Sequence, residues 1–432
     1  MRRKKAMART GTVYTGSAAR SGSMGSMGSV GSVGWRAPVA VAGVALLGAL
    51  ALGCKRAPPP PPPAPHAIPT PPERALYVTN NGSDSLSVID RDGVTVTNVP
   101  LDIDPDAREA PHHLSQARGG DVFVALAFPP EGASPTKKKP HAGHGESTSP
   151  GRLARLLPSS LTVRATRDVD ENPGDVVVSH DGKLVLVTHF DMKRAMTVAA
   201  AGNASPATMF ARLQVWSTAS LELRAQRPLC VAPHGVALTR DDRTALVACY
   251  GSDELAVVDL TSPTLPTARY PLGGTPGVPG VPRYGPYSVT LLGEDAALVA
   301  SLEGNDLRVF DLRTRAFVPG RTVPMGAKVF MPAVKGTTVA YVPLQAPDSL
   351  ARVDLVTGKV TAQVVKPIDE CRAPHAFALD GDRPFVVCEG DHKTPGTVLE
   401  VEPTTLATLR RWTVGVYPDG VLVGHAAEGA AP

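Results

Sequence analysis

Ala75-Leu76-Tyr77-Val78-Thr79-Asn80-Asn81-Gly82-Ser83-Asp84-Ser85-Leu86-Ser87-Val88-Ile89-Asp90 is the first copy of a phrase that recurs down this 432-residue chain. Its grammar is an apolar strand, a small or acidic turn, and a second strand that closes on Asp. The same grammar returns from Leu246 to Asp259, Leu298 to Asp311 and Val339 to Asp354, with looser copies near Leu184, Phe123 and Phe385. A short strand opening on Pro precedes each later copy, at Pro111, Pro173, Pro233, Pro286, Pro332 and Pro374, and one more opens at Pro418. Repeats of about 40 to 50 residues, each a small antiparallel sheet unable to bury its own faces, are the pattern of a propeller.

The final phrase, Tyr417 to Val423, supplies an opening strand with no repeat after it, while the copy at Ala75 lacks one. The two complete each other. The expected fold is all-β, a seven-bladed β-propeller of four-stranded antiparallel blades, with a C-terminal strand joining the N-terminal blade and leaving no open edge at the seam. Tyr77-Val78-Thr79-Asn80 spells the motif that names the YVTN β-propeller repeat family, and the chain resembles that family from about Glu73 to Gly424. The resemblance speaks for the fold, and more weakly for function, because propellers host unrelated activities.

The first residues are basic (Arg2, Arg3, Lys4, Lys5), and a Gly/Ser/Met stretch leads to an apolar run, Ala37 to Gly53, too short for a comfortable bilayer span. Leu50-Ala51-Leu52-Gly53-Cys54 resembles a bacterial lipoprotein cleavage box, although Ala51 stands where Leu is more usual. Met7, Met24 and Met27 are alternative starts. The organisation read from this is a lipoprotein-type signal over 1–53, a lipidated Cys54 with a proline-rich linker over 54–72, the propeller over 73–425 and a tail over 426–432. The alternative is an uncleaved anchor with Cys54 an ordinary thiol. Either way the bulk of the chain is expected outside the inner membrane, and the lipoprotein reading places it in the bacterial cell envelope, lipid-anchored at the outer membrane and facing the periplasm or the medium. The run from Pro58 to Pro65 favours stiff polyproline II, a spacer between lipid and fold.

Seven cations of the leader (Arg2, Arg3, Lys4, Lys5, Arg9, Arg20, Arg36) face no acid, so removing them turns the formal charge of +4 into −3. A mildly acidic mature chain removes the electrostatic case for nucleic-acid binding. Lys137 to Lys139, with His141 and His144, form a polar insertion in the second blade, read as a solvated loop. A monomer is expected.

Four further cysteines fall in two matching blocks, Cys230-Val231-Ala232-Pro233-His234 with Cys249 and Cys371-Arg372-Ala373-Pro374-His375 with Cys388. Folding each block about its turn sets His234 opposite Cys249 and His375 opposite Cys388, with Cys230 and Cys371 just beyond. In an oxidising envelope this predicts the disulfides Cys230–Cys249 and Cys371–Cys388. The competing reading is a Cys/His metal centre occurring twice, since thiolate and imidazole together suit zinc or copper.

In a propeller the first strand of each blade borders the channel, and the end of the second strand returns to the same face. The residues after each opening Pro are His112, Gly174, His234, Tyr287, Ala333, His375 and Asp419, and those closing second strands include Asn80, His189, Cys249, Ser301 and Cys388. The candidate ligand site at the channel mouth is therefore His112, His234, Tyr287, His375 and Asp419, with Asn80 and His189 beside them. The competing reading is that these groups only satisfy loop backbone. No cofactor motif occurs: Gly273 to Gly277 is too proline-rich for a phosphate loop, and Trp216 and Trp412 fall away from the channel. His112, His234 and His375 could share a single metal ion. The closing Asp residues, Asp90, Asp259, Asp311 and Asp354, read as turn chemistry.

Three functions remain open. The first is an envelope-tethered, non-catalytic binding or scaffold module for an envelope protein or a small molecule. The second is a lactonase-like hydrolase with its active site at the channel mouth, which rests on fold resemblance with no catalytic motif carried over. The third is a metal-binding or electron-transfer accessory.

Overall fold

A computed structural model describes residues 70–129 and 145–425. The leader, Cys54, the proline run, the insertion with Lys137 to His144 and the tail from 426 lie outside the described residues. Seven small antiparallel sheets form the ring of a propeller. Blade 1 is the seam, where Pro418–Val423 pairs with Ala75–Asn80, followed outward by Ser85–Asp90 and Val96–Pro100. Blade 2 runs Pro111–Gln116, Val122–Leu126, Pro150–Leu156 and Val163–Glu171, and blade 3 runs Pro173–Val178, Leu184–His189, Ala211–Ser217 and Leu223–Cys230. Blade 4 comprises Pro233–Leu238, Thr244–Cys249, Glu254–Asp259 and Thr267–Pro271, and blade 5 comprises Pro286–Leu292, Ala296–Ser301, Asp306–Asp311 and Ala316–Pro324. Blade 6 holds Val339–Gln345, Ser349–Asp354 and Lys359–Val364 behind a broken inner strand, Lys328–Val329 and Ala333–Lys335. Blade 7 holds Pro374–Asp380, Arg383–Cys388, Pro395–Val401 and Thr408–Val416.

The second strand of a blade is covered on both faces, which is why its residues are apolar without alternation. Thr244–Cys249 is buried from Ala245 onward. Alternate side chains serve different neighbours: Leu76, Val78 and Ile89 pack with Phe385 and Trp412 of blade 7, while Tyr77, Leu86 and Val88 pack with Val122 and Val124 of blade 2. Period 2 along each strand thus glues every blade to the next. At the seam, Leu76 pairs with Val423 and Val78 with Val421, and Asp380 of blade 7 binds Arg91 at 2.6 Å and Arg74 at 2.8 Å on the blade 1 side.

Both predicted disulfides are present, Cys230–Cys249 and Cys371–Cys388. Cys230 ends the outer strand of blade 3 and Cys249 ends the second strand of blade 4, so the first bridge also ties two blades together. Each closes a short loop, with sequence separations of 19 and 17, for which chain entropy gives about 3 kcal/mol. The thiols so bonded leave no cysteine metal centre among the described residues. One detail of the pairing differs from expectation: Pro233 lies opposite Cys249 and Pro374 opposite Cys388.

The shift by one residue comes from a device repeated around the ring. The residue before the opening Pro has positive φ in six blades: Ala110 (49°), Asn172 (53°), Ala232 (49°), Gly285 (55°), Ala373 (52°) and Tyr417 (52°). Its carbonyl accepts from the residue after the second strand, as in Tyr250 N to Ala232 O at 3.2 Å and Glu389 N to Ala373 O at 3.0 Å. A left-handed turn at a residue with a Cβ costs of order 1 kcal/mol, and here it swings the chain from one blade into the next. A β-bulge follows in the inner ladders of blades 2, 3, 4, 5 and 7, between Pro111 and Leu114, Pro173 and Val176, Pro233 and Val236, Pro286 and Ser288, and Pro374 and Ala376. Bulges re-aim side chains, and the residues they free are those at the channel.

Blade 6 departs from the expected phrase. Val329 pairs with Leu344, the register position that Pro233 and Pro286 hold in their blades, so Pro332 interrupts the inner strand instead of opening it. The seventh channel residue is therefore Phe330, not Ala333, which pairs farther along with Tyr341.

Candidate functional site

His112, His234, Tyr287, His375 and Asp419 come together at the mouth of the channel, each between 0% and 3% exposed. Their backbone is set from the neighbouring blade. Thr79 Oγ1 donates to the His112 carbonyl, Thr188 Oγ1 to the His234 carbonyl at 2.5 Å, and Ser288 Oγ to the Phe330 carbonyl at 3.0 Å. A Cβ on Gly235 would stand 2.6 Å from Ser288 Cα, and one on Gly420 2.8 Å from the His112 carbonyl. Gly235 after His234 and Gly420 after Asp419 let one blade's backbone lie against the next.

Asp419, on the seam strand, sits between two imidazoles. His112 Nδ1 donates to its Oδ2, and His375 Nε2 lies 3.1 Å from its Oδ1. His375 Nδ1 in turn faces Glu389 Oε1, and His392 Nε2 lies 2.6 Å from Glu389 Oε2. Imidazoles and carboxylates alternate from His392 through Glu389, His375 and Asp419 to His112. Burial alone would lower the His375 pKa, but the Asp419 and Glu389 carboxylates outweigh it and raise it. Burial pushes His112 down to about 4 against the pull of Asp419. Burial would raise Asp419, yet His112 and His375 together hold it well below the usual carboxylate range. The Tyr287 phenol is raised well above its ordinary value by burial and then by Asp419.

His113 was not singled out in the sequence, yet it stands inside the cluster. The wide bulge after Pro111 frees two residues, and the His113 ring lies 4.0 Å from that of His112 and 5.2 Å from that of His234. His113 Nδ1 is 2.8 Å from Asp175 Oδ1, and its Nε2 is buried without a hydrogen-bond partner among the described residues. His234 Nδ1 donates to the Tyr287 carbonyl at 3.0 Å, and its ring stacks on Tyr287 at 3.8 Å. Phe190 meets His234 edge-on at 5.2 Å, and Phe330 closes on His375 at 5.1 Å. Phe190 begins an insertion in blade 3 that carries the helices Met192–Ala200 and Pro206–Met209, whose Ala195 and Met209 pack on Val231 and Ala232.

Ring nitrogens of His112, His113 and His234 lie within 4.8 Å of one another, and so do ligand atoms of His113, His375 and Asp419. His112, His234 and His375 do not themselves form a compact donor group among the described residues; His113 takes the place of His375 beside the other two. Asn80 and His189 are used in the walls. Asn80 Nδ2 donates to Ser85 and Ser87, and its Oδ1 accepts from Gly415 N. His189 is bonded to the Glu171 carbonyl at 3.2 Å and to Gln214 Oε1 at 3.1 Å, and burial lowers its pKa. Ser301 and the bonded Cys249 and Cys388 are likewise buried. Asp259, Asp311 and Asp354 accept backbone N–H groups two residues on, as turn residues do.

No protein-family model and no curated protein matches the sequence. Solved structures do resemble the ring. A functionally unknown protein from Desulfotomaculum acetoxidans is 13% identical with a TM-score of 0.56, over 81% of this chain and 99% of that one. A protein from Lactobacillus plantarum is 16% identical with a TM-score of 0.56, over 81% and 98%. A candidate 6-phosphogluconolactonase from Bacteroides fragilis is 12% identical with a TM-score of 0.57, over 81% and 98%. At these identities the likeness establishes the fold alone.

Proposed function

We propose that this chain is an envelope-tethered binding propeller of the YVTN type, without catalysis of its own, whose working site is the imidazole–carboxylate cluster at the channel mouth. The observation that carries the reading is convergence. Side chains from blades 1, 2, 4, 5 and 7 meet in one buried group, and four of them are ionisable imidazoles or carboxylate. Buried titratable groups are costly, and their concentration in a concavity marks a site more often than a scaffold. The lipoprotein-like leader, Cys54 and the proline run support tethering, and the helical insertion gives the same face a surface for a partner. Met196 on that insertion is 64% exposed, and Val278 and Val281, in the loop that leads to blade 5, are 68% and 64% exposed.

Native mass spectrometry of the full chain tests the reading. A retained small species, lost from a His234→Ala variant that still folds, is the expected result. A bare mass in both proteins, with melting unaffected by added ligands, would sink it. A Cys54→Ser variant should lose label from a lipid precursor and leave the envelope membrane. The hydrolase reading has less support, because it rests on a likeness of fold with no catalytic motif behind it. A lactone panel that shows turnover abolished by His234→Ala would restore it.

A further inference from the structure

Resting on that reading of the mouth as a ligand site, we infer that the ligand is a divalent first-row transition metal ion held by His112, His113 and His234. The first argument is the set of contacts behind each ring. His112 Nδ1 donates to Asp419, His113 Nδ1 to Asp175 and His234 Nδ1 to the Tyr287 carbonyl. An oxygen on every Nδ1 fixes the tautomer and assigns ligation to Nε2, and it fixes ring orientation too. Metal-binding histidines carry this outer arrangement almost without exception.

The second argument is spacing. Ligands about 2.1 Å from one tetrahedral ion lie roughly 3.4 Å apart, and the three rings present nitrogens within 4.8 Å of one another. Small rotations of three imidazoles close that difference. The third is His113 itself, whose buried Nε2 has no hydrogen-bond partner among the described residues. A buried acceptor left in that state is rare in folded proteins, and a metal supplies what it lacks.

Donor chemistry narrows the ion. Three neutral imidazoles suit zinc(II) or copper(II), whereas calcium and magnesium demand oxygen cages. The mouth offers no thiolate, because its neighbouring cysteines are in disulfides. Three protein ligands leave a coordination position open, as sites that take an exchangeable ligand do. Asp419 stands behind His112, and His375 with Glu389 stands behind Asp419, so these three are positioning groups rather than ligands.

The neighbouring group of His113, His375 and Asp419 is the competing location, and single variants separate the two. The full chain, purified without a metal-binding tag and stripped with chelator, is titrated with zinc(II) and copper(II), with calcium as control. One ion per chain and a raised melting temperature are expected. His113→Ala and His234→Ala should each abolish binding, Asp419→Asn should weaken it 10- to 100-fold, and His180→Ala, on an exposed ion pair with Asp242, should leave it unchanged. Circular dichroism and a cooperative melt establish that each variant folds. Binding that survives His234→Ala but vanishes in Asp419→Asn would move the ion to the second group and overturn the assignment. A parent that binds neither metal, yet retains a non-metal species lost in His113→Ala, would end the metal inference and leave the ligand site standing. A parent that retains nothing ends both.

Discussion

Blades 4 and 7 begin with the same five-residue grammar and finish with different chemistry. In both, a Cys is bridged to the end of the second strand, an Ala turns left-handed, a Pro opens the inner strand, and a bulge frees a His at the mouth. The local frame is therefore written in the block itself. What the His becomes is written elsewhere: His234 leans on a main-chain carbonyl and a tyrosine ring, while His375 is held between Glu389 and Asp419. Local sequence places the ring, and partners from other blades and loops set its charge and its use.

The largest effect expected from breaking this contrast is at Glu389. Glu389→Ala leaves His375 buried with one carboxylate instead of two, and loss of one partner of a buried charged pair costs about 3–5 kcal/mol. Urea unfolding should show that loss, whereas the carbonyl that His234 Nδ1 meets belongs to the main chain of Tyr287 and no side-chain substitution removes it. Next come the bridges. Replacing Cys230 and Cys249 by Ala, or Cys371 and Cys388 by Ala, should each cost about 3 kcal/mol. Near-equal losses are expected because the closed loops are nearly equal, and a several-fold difference in chemical denaturation would show that the two blocks are not one device.

His189 gives a third, smaller comparison, since it is buried like the mouth histidines but its hydrogen bonds go to a main-chain carbonyl and an amide oxygen, with Asp170 and Arg212 acting on it in opposite directions. Burial lowers its folded pKa below the ordinary imidazole value of 6.5. As pH falls below that value the unfolded chain takes a proton that the fold refuses. The stability tied to neutral His189 is thus full above pH 6.5 and drains as the pH drops toward its folded value. His189→Gln, which cannot titrate, should flatten the decline in melting temperature between pH 6.5 and 5, and an unchanged slope would count against the assignment. The smallest effect belongs to the turns: Ala232→Gly and Ala373→Gly trade strain relief against unfolded-state entropy, so each should shift stability by less than about 1 kcal/mol, with the same sign at both sites.

Much of the fold was legible because each strand must present apolar residues to both neighbouring blades, and that demand repeats. Seven blades, the strand-exchanged seam and both disulfides follow from the phrase and the opening prolines. Blade 6 misled because Pro332 reads like an opener although it sits inside the strand, and only the register of Val329 with Leu344 exposes Phe330. His113 was missed because alternation along a strand assigns adjacent residues to opposite sides, and a wide bulge suspends that rule. The doublet Pro111-His112-His113 was the available signal. Glu389, His392 and Asp175 carry no repeat signature. Glu389 and His392 lie in the loop that follows the second strand of blade 7, and Asp175 sits inside the bulge of blade 3.

Crystals of the full chain grown with zinc(II), with diffraction recorded on both sides of the zinc absorption edge, test the central claim most directly. The account predicts one anomalous peak at the channel mouth, about 2.0–2.1 Å from the Nε2 atoms of His112, His113 and His234. No peak there, or one whose nearest ligands are His375 and Asp419, would contradict it.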